Sequence, residues 1–340
     1  MESGEATIRD VAQRAGVSKS LVSLVLRGSP NVSAERRAAV AEAMRVLGYR
    51  PNGIARSLAS RRTNAIGVLI DDLRNGWHSD LIDGLNSVLA TRGQHVLLGD
   101  HRLDRRAEEG VTRAFVDLRV DGLVLAGSML PSEALERAAR QVPTVVAASR
   151  GFPIGGVDTV ADEDEQGGRL ATQHLLDLGH RHIAHVSGIG EVGRLRALGY
   201  RQAMADAGLG EQAVLEPGDT TEEGGYRAAV RLLGRTPRPT AIFAYNDVTA
   251  VGVLDAALER GIHVPGDLSI VGYDNSHMAR MRHLFLTTVD PVSYEVGRRA
   301  AETLLMRIED PRRSAVEVLL EPRLVGRTST ARPADVKTGP

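Results

Sequence analysis

The chain has 340 residues, no cysteine and a formal net charge of −1, with 42% hydrophobic and 25% charged residues. This length predicts two or three compact units, and the composition is that of a folded globular chain rather than a disordered or fibrous one. The lack of cysteine excludes disulfides and thiolate chemistry. Because the sequence shows neither a signal peptide nor an apolar run of about 20 residues, we expect a cytoplasmic protein with no membrane segment.

The charge is unevenly distributed along the chain. Residues 1–62 carry 11 Arg and Lys against 5 Asp and Glu, whereas the remaining residues carry 31 against 38. A basic N-terminal part on an acidic remainder favours a polyanionic partner for the N-terminal part alone. A chance fluctuation in composition is the alternative explanation.

The first 50 residues are predicted to form three short helices. Thr7, Ser18 and Ser33 stand directly before apolar residues at helical spacing, where N-cap side chains are expected. Gly16 follows the first of these patterns and Gly48 the third, and glycine commonly ends a helix at this position. A short amphipathic segment then extends from Asn52 to Ser60 and predicts a hinge helix.

The first two predicted helices have the spacing of a helix-turn-helix unit. Ala12 supplies a small contact residue, Gly16 a tight turn, and Val22 and Val25 the apolar side chains that lock the second helix across the first. Such a unit inserts the start of its second helix, here Lys19, into the major groove of DNA. Spacing alone leaves an ordinary helical hairpin as the alternative.

After Thr63 the pattern changes to short apolar runs that alternate with longer amphipathic stretches. The predicted strands are Ala65–Ile70, His95–Leu98, Gly122–Leu125, Thr144–Ala148, His182–Ser187, Ala241–Ala244, Leu268–Gly272 and Thr287–Val289. The predicted helices are Trp77–Thr91, Arg105–Val116, Glu133–Arg140, Gln166–Leu178, Leu195–Ala207, Glu222–Leu233, Val248–Arg260 and Tyr294–Ile308. Repeated strand-then-helix order predicts an α/β fold of doubly wound parallel sheets, and about eight units favour two lobes that divide near Val160.

Several segments resemble one known family in the family's own order. They are TIRDVAQRAGVSKSLVSLVLRGSPNVSAERRAAVAEAMRVLGYRPNGIARSLASRRTNAIGVL, VDGLVLAGS, LLDLGHRHIAHVSG, RLRALGYRQAM, PTAIFAYNDVTAVGVLDAALERGIHVPGDLSIVGYDN and LTTVDP. The chain resembles the lactose repressor/galactose repressor (LacI/GalR) family of bacterial transcription regulators over nearly all of Thr7 to Thr328.

The resemblance implies a definite domain organisation. It implies an all-α helix-turn-helix head and a hinge, followed by a two-lobed domain like a periplasmic binding protein. The expected ranges are 1–50 for the head, 51–62 for the hinge, 63–160 with 291–319 for the N-lobe, 161–290 with 320–330 for the C-lobe, and 331–340 for a disordered tail. It also implies that the protein is not an enzyme. It implies instead a homodimer that binds a palindromic operator in double-stranded DNA and responds to a small effector, for which a sugar or sugar derivative is the best candidate. We expect no larger oligomer, because Asp335 to Pro340 has no apolar heptad repeat.

The resemblance also assigns functional residues. The expected DNA contacts are Thr7, Ser18, Lys19, Ser20 and Leu24 in the head and Asn52, Ala55, Leu58 and Ala59 in the hinge. Relatives often carry arginine or another polar residue where this chain has Leu24, and Leu58 matches the residue that wedges into the minor groove. The expected effector contacts are Trp77, His78, Ser128, Arg196, Asn246 and Asp274.

The chemistry of these effector residues agrees with the assignment. Arg196 offers a rigid fork of donors and Asp274 two acceptor oxygens, which together can hold vicinal hydroxyl groups. Trp77, the only tryptophan, has an apolar face that suits a sugar ring. The alternatives are that Arg196 forms a surface salt bridge, that Asp274 caps a loop and that Trp77 packs in the core. Where relatives often carry an aspartate after the fourth strand, this chain has Ala148-Ser149, so some polar groups of the ligand must be met differently.

Three further patterns carry less weight. Gly188 to Gly193 reads G-x-G-x-x-G, and with Glu216 as the ribose acid it would fit a NAD-dependent oxidoreductase with a DNA-binding head, which is the alternative function. His174, His180, His182 and His185 lie around a helix end and along a strand, so we expect structural roles and no metal or cofactor. The acidic run from Asp162 to Glu165 precedes a predicted helix and is most simply explained as a complement to the dipole of that helix.

Overall fold

The computed structural model describes residues 6–26, 29–49, 62–102, 104–127, 130–151 and 154–334. The chain divides into two compact units, Met1–Thr63 and Asn64–Pro340, which we call the head and the body. The predicted hinge helix lies outside the described residues.

The head contains three helices, α1 (Ile8–Arg14), α2 (Lys19–Leu26) and α3 (Ala34–Leu47). Each begins at the residue that the sequence predicts. Thr7 and Asp10 form a reciprocal capping box, the Ser18 hydroxyl accepts a hydrogen bond from the Leu21 amide at 3.2 Å, and the Ser33 hydroxyl caps α3. Gly16 and Gly48 adopt the left-handed conformation with φ of +63° and +60°, so the predicted glycine stops are confirmed.

The core of the head is small and wholly apolar. It consists of the buried side chains of Val11, Ala12, Val22, Val40 and Ala43, one group from each helix. Two of the residues predicted to lock the first two helices together, Ala12 and Val22, therefore lie in this core. The pattern of three short helices around one apolar centre is the predicted helix-turn-helix arrangement.

The first lobe of the body, the N-lobe, contains a six-stranded parallel sheet. Its strands are β1 (Ala65–Ile70), β2 (His95–Asp100), β3 (Gly122–Ala126), β4 (Thr144–Ala147), β5 (Asp158–Asp162) and β11 (Glu317–Leu320), in the order β11-β5-β4-β3-β1-β2. Its helices are α4 (Trp77–Leu89), α5 (Arg105–Asp117), α6 (Glu133–Gln141) and α11 (Ser293–Glu309). Helices α4 and α11 cover one face of the sheet, and α5 and α6 cover the other.

The second lobe, the C-lobe, repeats this plan. Its strands are β6 (Ile183–Ser187), β7 (Val214–Pro217), β8 (Ala241–Phe243), β9 (Ser269–Tyr273), β10 (Thr287–Asp290) and the antiparallel β12 (Arg323–Val325), in the order β12-β10-β9-β8-β6-β7. Helices α7 (Asp164–Asp177) and α8 (Gly190–Asp206) cover one face, and α9 (Glu222–Leu233) and α10 (Asp247–Glu259) cover the other. The predicted fold class, with two doubly wound lobes, is confirmed.

The chain crosses between the lobes three times. It does so between β5 and α7, between β10 and α11, and between β11 and β12. The boundary expected at residue 160 lies inside β5, because this strand continues to Asp162 within the N-lobe sheet. The prediction of a disordered tail from residue 331 is wrong at its first residue, because the backbone N–H and C=O of Ala331 are both hydrogen-bonded to the Ser269 hydroxyl.

Three helix pairs approach each other unusually closely through glycines. A Cβ atom on Gly199 of α8 would lie 1.9 Å from the carbonyl oxygen of Glu165, and one on Gly168 of α7 would lie 2.3 Å from that of Arg196. The same reciprocal arrangement joins α4 to α11 and α9 to α10, through Gly84, Gly297, Gly225 and Gly252. Side chains larger than hydrogen cannot occupy these six positions without forcing the helices apart.

Candidate effector cleft and DNA-binding surface

A cleft of about 800 Å³ lies between the two lobes of the body. It is lined by residues that follow the carboxyl ends of parallel strands, among them Asp71 after β1, Ala148 after β4 and Asp274 after β9. Open α/β sheets place their binding sites at this edge. The volume is in the range of small-molecule sites, so the cleft is the candidate effector site.

Arg196 lies at the centre of the cleft floor. Its Nε donates to Asp164 Oδ1 at 2.9 Å, and its Nη1 donates to the carbonyl oxygen of Tyr245 at 2.8 Å. Its guanidinium carbon lies 3.5 Å from the centre of the Tyr273 ring, which adds a cation–π contact. Asp274 Oδ1 stands 3.9 Å from Nη1. These contacts fix a buried guanidinium in one orientation.

Three aspartates surround this arginine. Burial raises the pKa of Asp164 to about 8, and the charge of Asp162 adds to the rise while Arg196 opposes it. Burial also raises the pKa of Asp162, which accepts a 2.5 Å hydrogen bond from the Tyr273 hydroxyl, and that of Asp274. Three buried carboxyl groups therefore share one buried guanidinium, and the cluster retains a proton more readily than isolated carboxylates do.

Asp274 joins the two lobes. Its Oδ2 accepts a hydrogen bond at 3.2 Å from Nδ2 of Asn75, which belongs to the loop between β1 and α4 in the N-lobe. Its backbone has φ of +105°, a region that L-residues rarely adopt. Arg280 and Asp80 form a second contact between the lobes at 3.5 Å. Both contacts require the lobes to be close together.

Trp77 lines the N-lobe side of the cleft at the start of α4. Its ring stacks on the ring of His78 with 4.3 Å between their centres. His78 is 1% exposed, does not line the cleft, and donates from Nε2 to Asp71 at 2.7 Å. His78 therefore stacks on the tryptophan ring without lining the cleft, and its contact with an effector stays a prediction.

Asn246 and Ser293 are two further polar side chains of the cleft wall. Asn246 is the N-cap of α10, where its Oδ1 accepts a hydrogen bond from the Thr249 amide at 2.8 Å. Ser293, at the start of α11, lines the cleft but its hydroxyl has no hydrogen-bond partner among the described residues. A buried hydroxyl without a partner costs free energy unless a ligand or water supplies one.

The structure brings four of the six predicted effector residues into one cleft: Trp77, Arg196, Asn246 and Asp274. Ser128 lies outside the described residues. Sequence reasoning did not single out Asn75, Tyr245, Tyr273 or Ser293, and it assigned Asp162 to a helix dipole. For Tyr245 and Tyr273 the available signal was their position directly after a predicted strand. Asn75 and Ser293 lie several residues beyond predicted strands, and Asp162 ends a strand that the sequence analysis does not predict.

The five predicted DNA contacts of the described head are exposed. Lys19 and Ser20 lie in the first turn of α2, and Leu24 lies one turn further along. The hydroxyl groups of Thr7 and Ser18 cap α1 and α2 respectively. The predicted hinge contacts Asn52, Ala55, Leu58 and Ala59 lie outside the described residues.

The glycine-rich motif forms the turn into α8, which begins at Gly190 rather than at the predicted Leu195. A Cβ atom on Gly188 would lie 2.3 Å from the ring of Tyr245, so protein atoms occupy the space beside this loop. Glu216, the candidate ribose acid, is paired with Arg231. Within the described ranges no group of three or more metal-ligating side chains is present, and no helix is long and apolar enough to cross a membrane.

Comparison with known proteins agrees with this architecture. Residues 7–52 match the model of the bacterial regulatory proteins of the lacI family, and residues 172–330 match a periplasmic binding protein-like domain. The chain is 35% identical over 332 residues to the HTH-type transcriptional repressor PurR of Pectobacterium carotovorum, covering 96% of this chain and 97% of that protein.

Two solved structures show the same fold. The Lac repressor dimer bound to operator and the anti-inducer ONPF is 29% identical, with a TM-score of 0.84 and coverage of 96% of this chain and 100% of that chain. The complex of the transcriptional regulator CelR with cellobiose is 31% identical, with a TM-score of 0.71 and coverage of 95% and 99%. The chain therefore belongs to the LacI/GalR family of bacterial regulatory proteins and is a ligand-responsive, DNA-binding transcription regulator, not an enzyme.

Proposed function

We propose that the chain is a dimeric repressor that binds a near-palindromic operator and that a sugar-like effector, held in the cleft, sets its affinity for DNA. The observation that carries this proposal is the convergence of Trp77, Arg196 and Asp274 on one cleft between two lobes. The dimer, the operator and the sugar are supported by what the similar Lac repressor and CelR structures contain. Because operator DNA lies in the bacterial cytoplasm, we place the protein there.

The cleft supplies the groups that sugar recognition needs. Sugar rings stack on aromatic faces, which Trp77 provides, and their hydroxyl groups both donate and accept hydrogen bonds. Arg196 donates, Asp274 accepts, and the Ser293 hydroxyl can do both. Asn246 adds a further polar side chain on the C-lobe wall. We assign effector contact to these residues and a supporting role to His78.

The head supplies the operator contacts. We assign base contacts to Lys19, Ser20 and Leu24 because α2 exposes all three to solvent, and contacts with the DNA backbone to Thr7 and Ser18. The excess of Arg and Lys in residues 1–62 neutralises phosphates, which makes affinity fall steeply with salt. The proposal extends to Asn52, Ala55, Leu58 and Ala59 through the resemblance alone.

Effector binding controls DNA binding through the contacts between the lobes. A ligand changes an equilibrium only if it binds two arrangements with different affinity. An effector beside Asp274 competes with or reinforces its hydrogen bond to Asn75, and so favours one arrangement of the lobes. Coupling of about 1–3 kcal/mol would change operator affinity about 5- to 150-fold.

The test combines DNA selection with effector screening. Selection from a random duplex library should yield a near-palindromic site, and one or more sugars of a panel should change the affinity for that site about 5- to 150-fold. Lys19→Ala should alter the preference among variants of the selected site, whereas Arg238→Ala, an exposed arginine of the body, should leave it unchanged. Binding without any sequence preference would overturn the proposal.

A further inference from the structure

We propose that the cleft selects uncharged, polyhydroxylated effectors and discriminates against their phosphorylated or carboxylate-bearing counterparts. This inference deepens the proposed function and rests on it. Sugars and sugar phosphates offer the same ring and the same hydroxyl groups, so charge is the property by which a site can separate them. The charges of the cleft lining decide between the two classes.

The lining of the cleft is strongly acidic. Among the described residues that line it, eight carry a carboxyl group and two carry a guanidinium group. The negative charge lies mainly on the exposed rim, as in Glu222, Glu223 and Asp255, because burial raises the pKa of Asp162 and Asp274 on the floor. A cleft lined by one sign of charge concentrates its field in the enclosed space and lowers the local concentration of anions.

Both guanidinium groups already have carboxylate partners. Arg74 Nε lies 2.9 Å from Asp72 Oδ1, and Arg196 Nε lies 2.9 Å from Asp164 Oδ1. Phosphate recognition commonly uses arginine in a bidentate arrangement. A phosphate in this cleft would have to compete with these carboxylates for the charge of Arg74 or Arg196.

Helix N-termini are the other common phosphate-binding groups, and here they are already complemented by acidic side chains. Five helices begin at the cleft, namely α4, α8, α9, α10 and α11. Each has a carboxylate in its first turn, and these residues are Asp80, Glu191, Glu222, Glu223, Asp247 and Glu295. A carboxylate of the protein itself thus opposes the partial positive charge of each N-terminus.

The buried hydroxyl of Ser293 indicates independently what the cleft does accept. Ser293 is 5% exposed, its Oγ has no hydrogen-bond partner among the described residues, and it lines the cleft next to α4. A hydroxyl both donates and accepts, so a ligand hydroxyl satisfies it without any charge. The acidic lining and the unsatisfied hydroxyl together fit a neutral polyol.

The single tryptophan allows the charge of the cleft to be measured without knowing the effector. Trp77 is the only tryptophan of the chain and lies in the cleft. Quenching of its fluorescence by iodide and by caesium, each normalised to N-acetyltryptophanamide at the same ionic strength, reports the local concentration of anions and cations. Caesium should quench at least twofold more effectively than iodide. Equal or stronger quenching by iodide would overturn the proposal.

Matched variants show which acids are responsible. Glu222→Gln with Glu223→Gln, in the first turn of α9, should raise quenching by iodide and lower quenching by caesium. Glu133→Gln with Glu136→Gln makes the same change in the first turn of α6, outside the cleft lining, and should alter neither. An equal response of the two double variants would show that the overall charge of the protein, not the cleft, governs quenching, and would overturn the proposal.

Ligand pairs then test the selectivity directly. Calorimetry on the full chain should compare glucose with glucose 6-phosphate, ribose with ribose 5-phosphate, and each other sugar that binds with its phosphate ester. Each ester should bind at least tenfold more weakly, which is about 1.4 kcal/mol. An ester that binds as tightly as its sugar would overturn the charge selectivity. Failure of every sugar and every ester to bind would instead overturn the sugar assignment, while quenching still decides the charge of the cleft.

Discussion

In the head, every side chain that the structure buries is apolar, whereas the body buries an arginine and three aspartates beside its cleft. The head presents its proposed DNA contacts on the surface, within 18 residues of sequence from Thr7 to Leu24. The body assembles its site from Asp162, Arg196 and Asp274, which lie on different elements. Apart from Thr7 and Ser18, which also cap helices, the proposed binding residues of the head are separate from those that fold it, whereas in the body the same residues serve both.

This difference has an energetic consequence. A buried charge is tolerated only when its partners are in place, and removal of one partner leaves the others uncompensated. Changes in the effector site should therefore affect stability strongly. Changes to exposed head residues should affect DNA binding with little effect on stability, except where a side chain also caps a helix.

The largest effect is expected for Arg196→Ala. It leaves Asp164 buried without its ion-pair partner, so the free energy of unfolding of the body should fall by about 3–5 kcal/mol. Urea denaturation followed by circular dichroism measures this. The matched control is Arg169→Ala, which breaks an exposed ion pair with Asp206 between the same two helices, α7 and α8, and should cost less than about 1 kcal/mol. Equal costs for the two variants would contradict the contrast between buried and exposed charges.

The second effect is a pH dependence that belongs to the body. Burial lowers the pKa of His185 to about 4, and its Nδ1 donates to the carbonyl oxygen of Phe243. Between pH 6.5 and pH 4 the unfolded chain binds a proton on His185, whereas the folded chain does not. Part of the free energy of unfolding present above pH 6.5 is therefore lost as the pH falls towards 4. The expected loss is about 3 kcal/mol.

The variant His185→Phe isolates this contribution. Phenylalanine does not titrate and can stack on Phe243 as the imidazole does. The difference in free energy of unfolding between wild type and variant should shrink by about 3 kcal/mol when the pH is lowered from 7 to 4. Urea titrations at four pH values measure it. A difference that stays constant over this range would show that His185 makes no such contribution.

The smallest effect is expected in the head. Thr7→Ala removes the side chain that forms the capping box with Asp10 and should destabilise α1 by about 1 kcal/mol. Hydrogen exchange of the α1 amides, measured by mass spectrometry on the full chain, should become faster about fivefold. Ser20→Ala, an exposed position that caps no helix, is the control and should leave the exchange rate nearly unchanged. If both variants exchange alike, Thr7 has no capping role in solution.

The sequence predicts the helices of the head well because their signals are local. A cap, an apolar spacing and a terminal glycine lie within one or two turns of each other, as at Thr7 and Gly16. Four strands of the body were missed. Strands β7, β11 and β12 are short, lie at sheet edges and are only partly buried, so no continuous apolar run marks them. Strand β5 is buried inside the N-lobe sheet, but it has only five residues and both its first and its last residue are aspartates, so its apolar run is too short to be recognised.

The site could be predicted only in part for a similar reason. Arg196 and Asp274 were found through the resemblance, but nothing in the sequence joins Asp162 to Tyr273, or Asn75 to Asp274, across more than 100 residues. The acidic run from Asp162 to Glu165 illustrates the limit. Asp164 and Glu165 do lie in the first turn of α7, as a dipole argument expects, yet Asp162 and Asp164 also contact the cleft floor.

The reciprocal glycines of the three helix pairs determine how the body can move. With backbone packed directly on backbone, neither helix of a pair can slide along the other without a collision of main-chain atoms. Shear between the two helices of each of these pairs is therefore opposed, and we expect the lobes to move by rotation about the three crossing segments, in the manner of a hinge. Effector binding should therefore change the angle between the lobes at these three segments, and leave the packing of the helices within each lobe nearly unchanged.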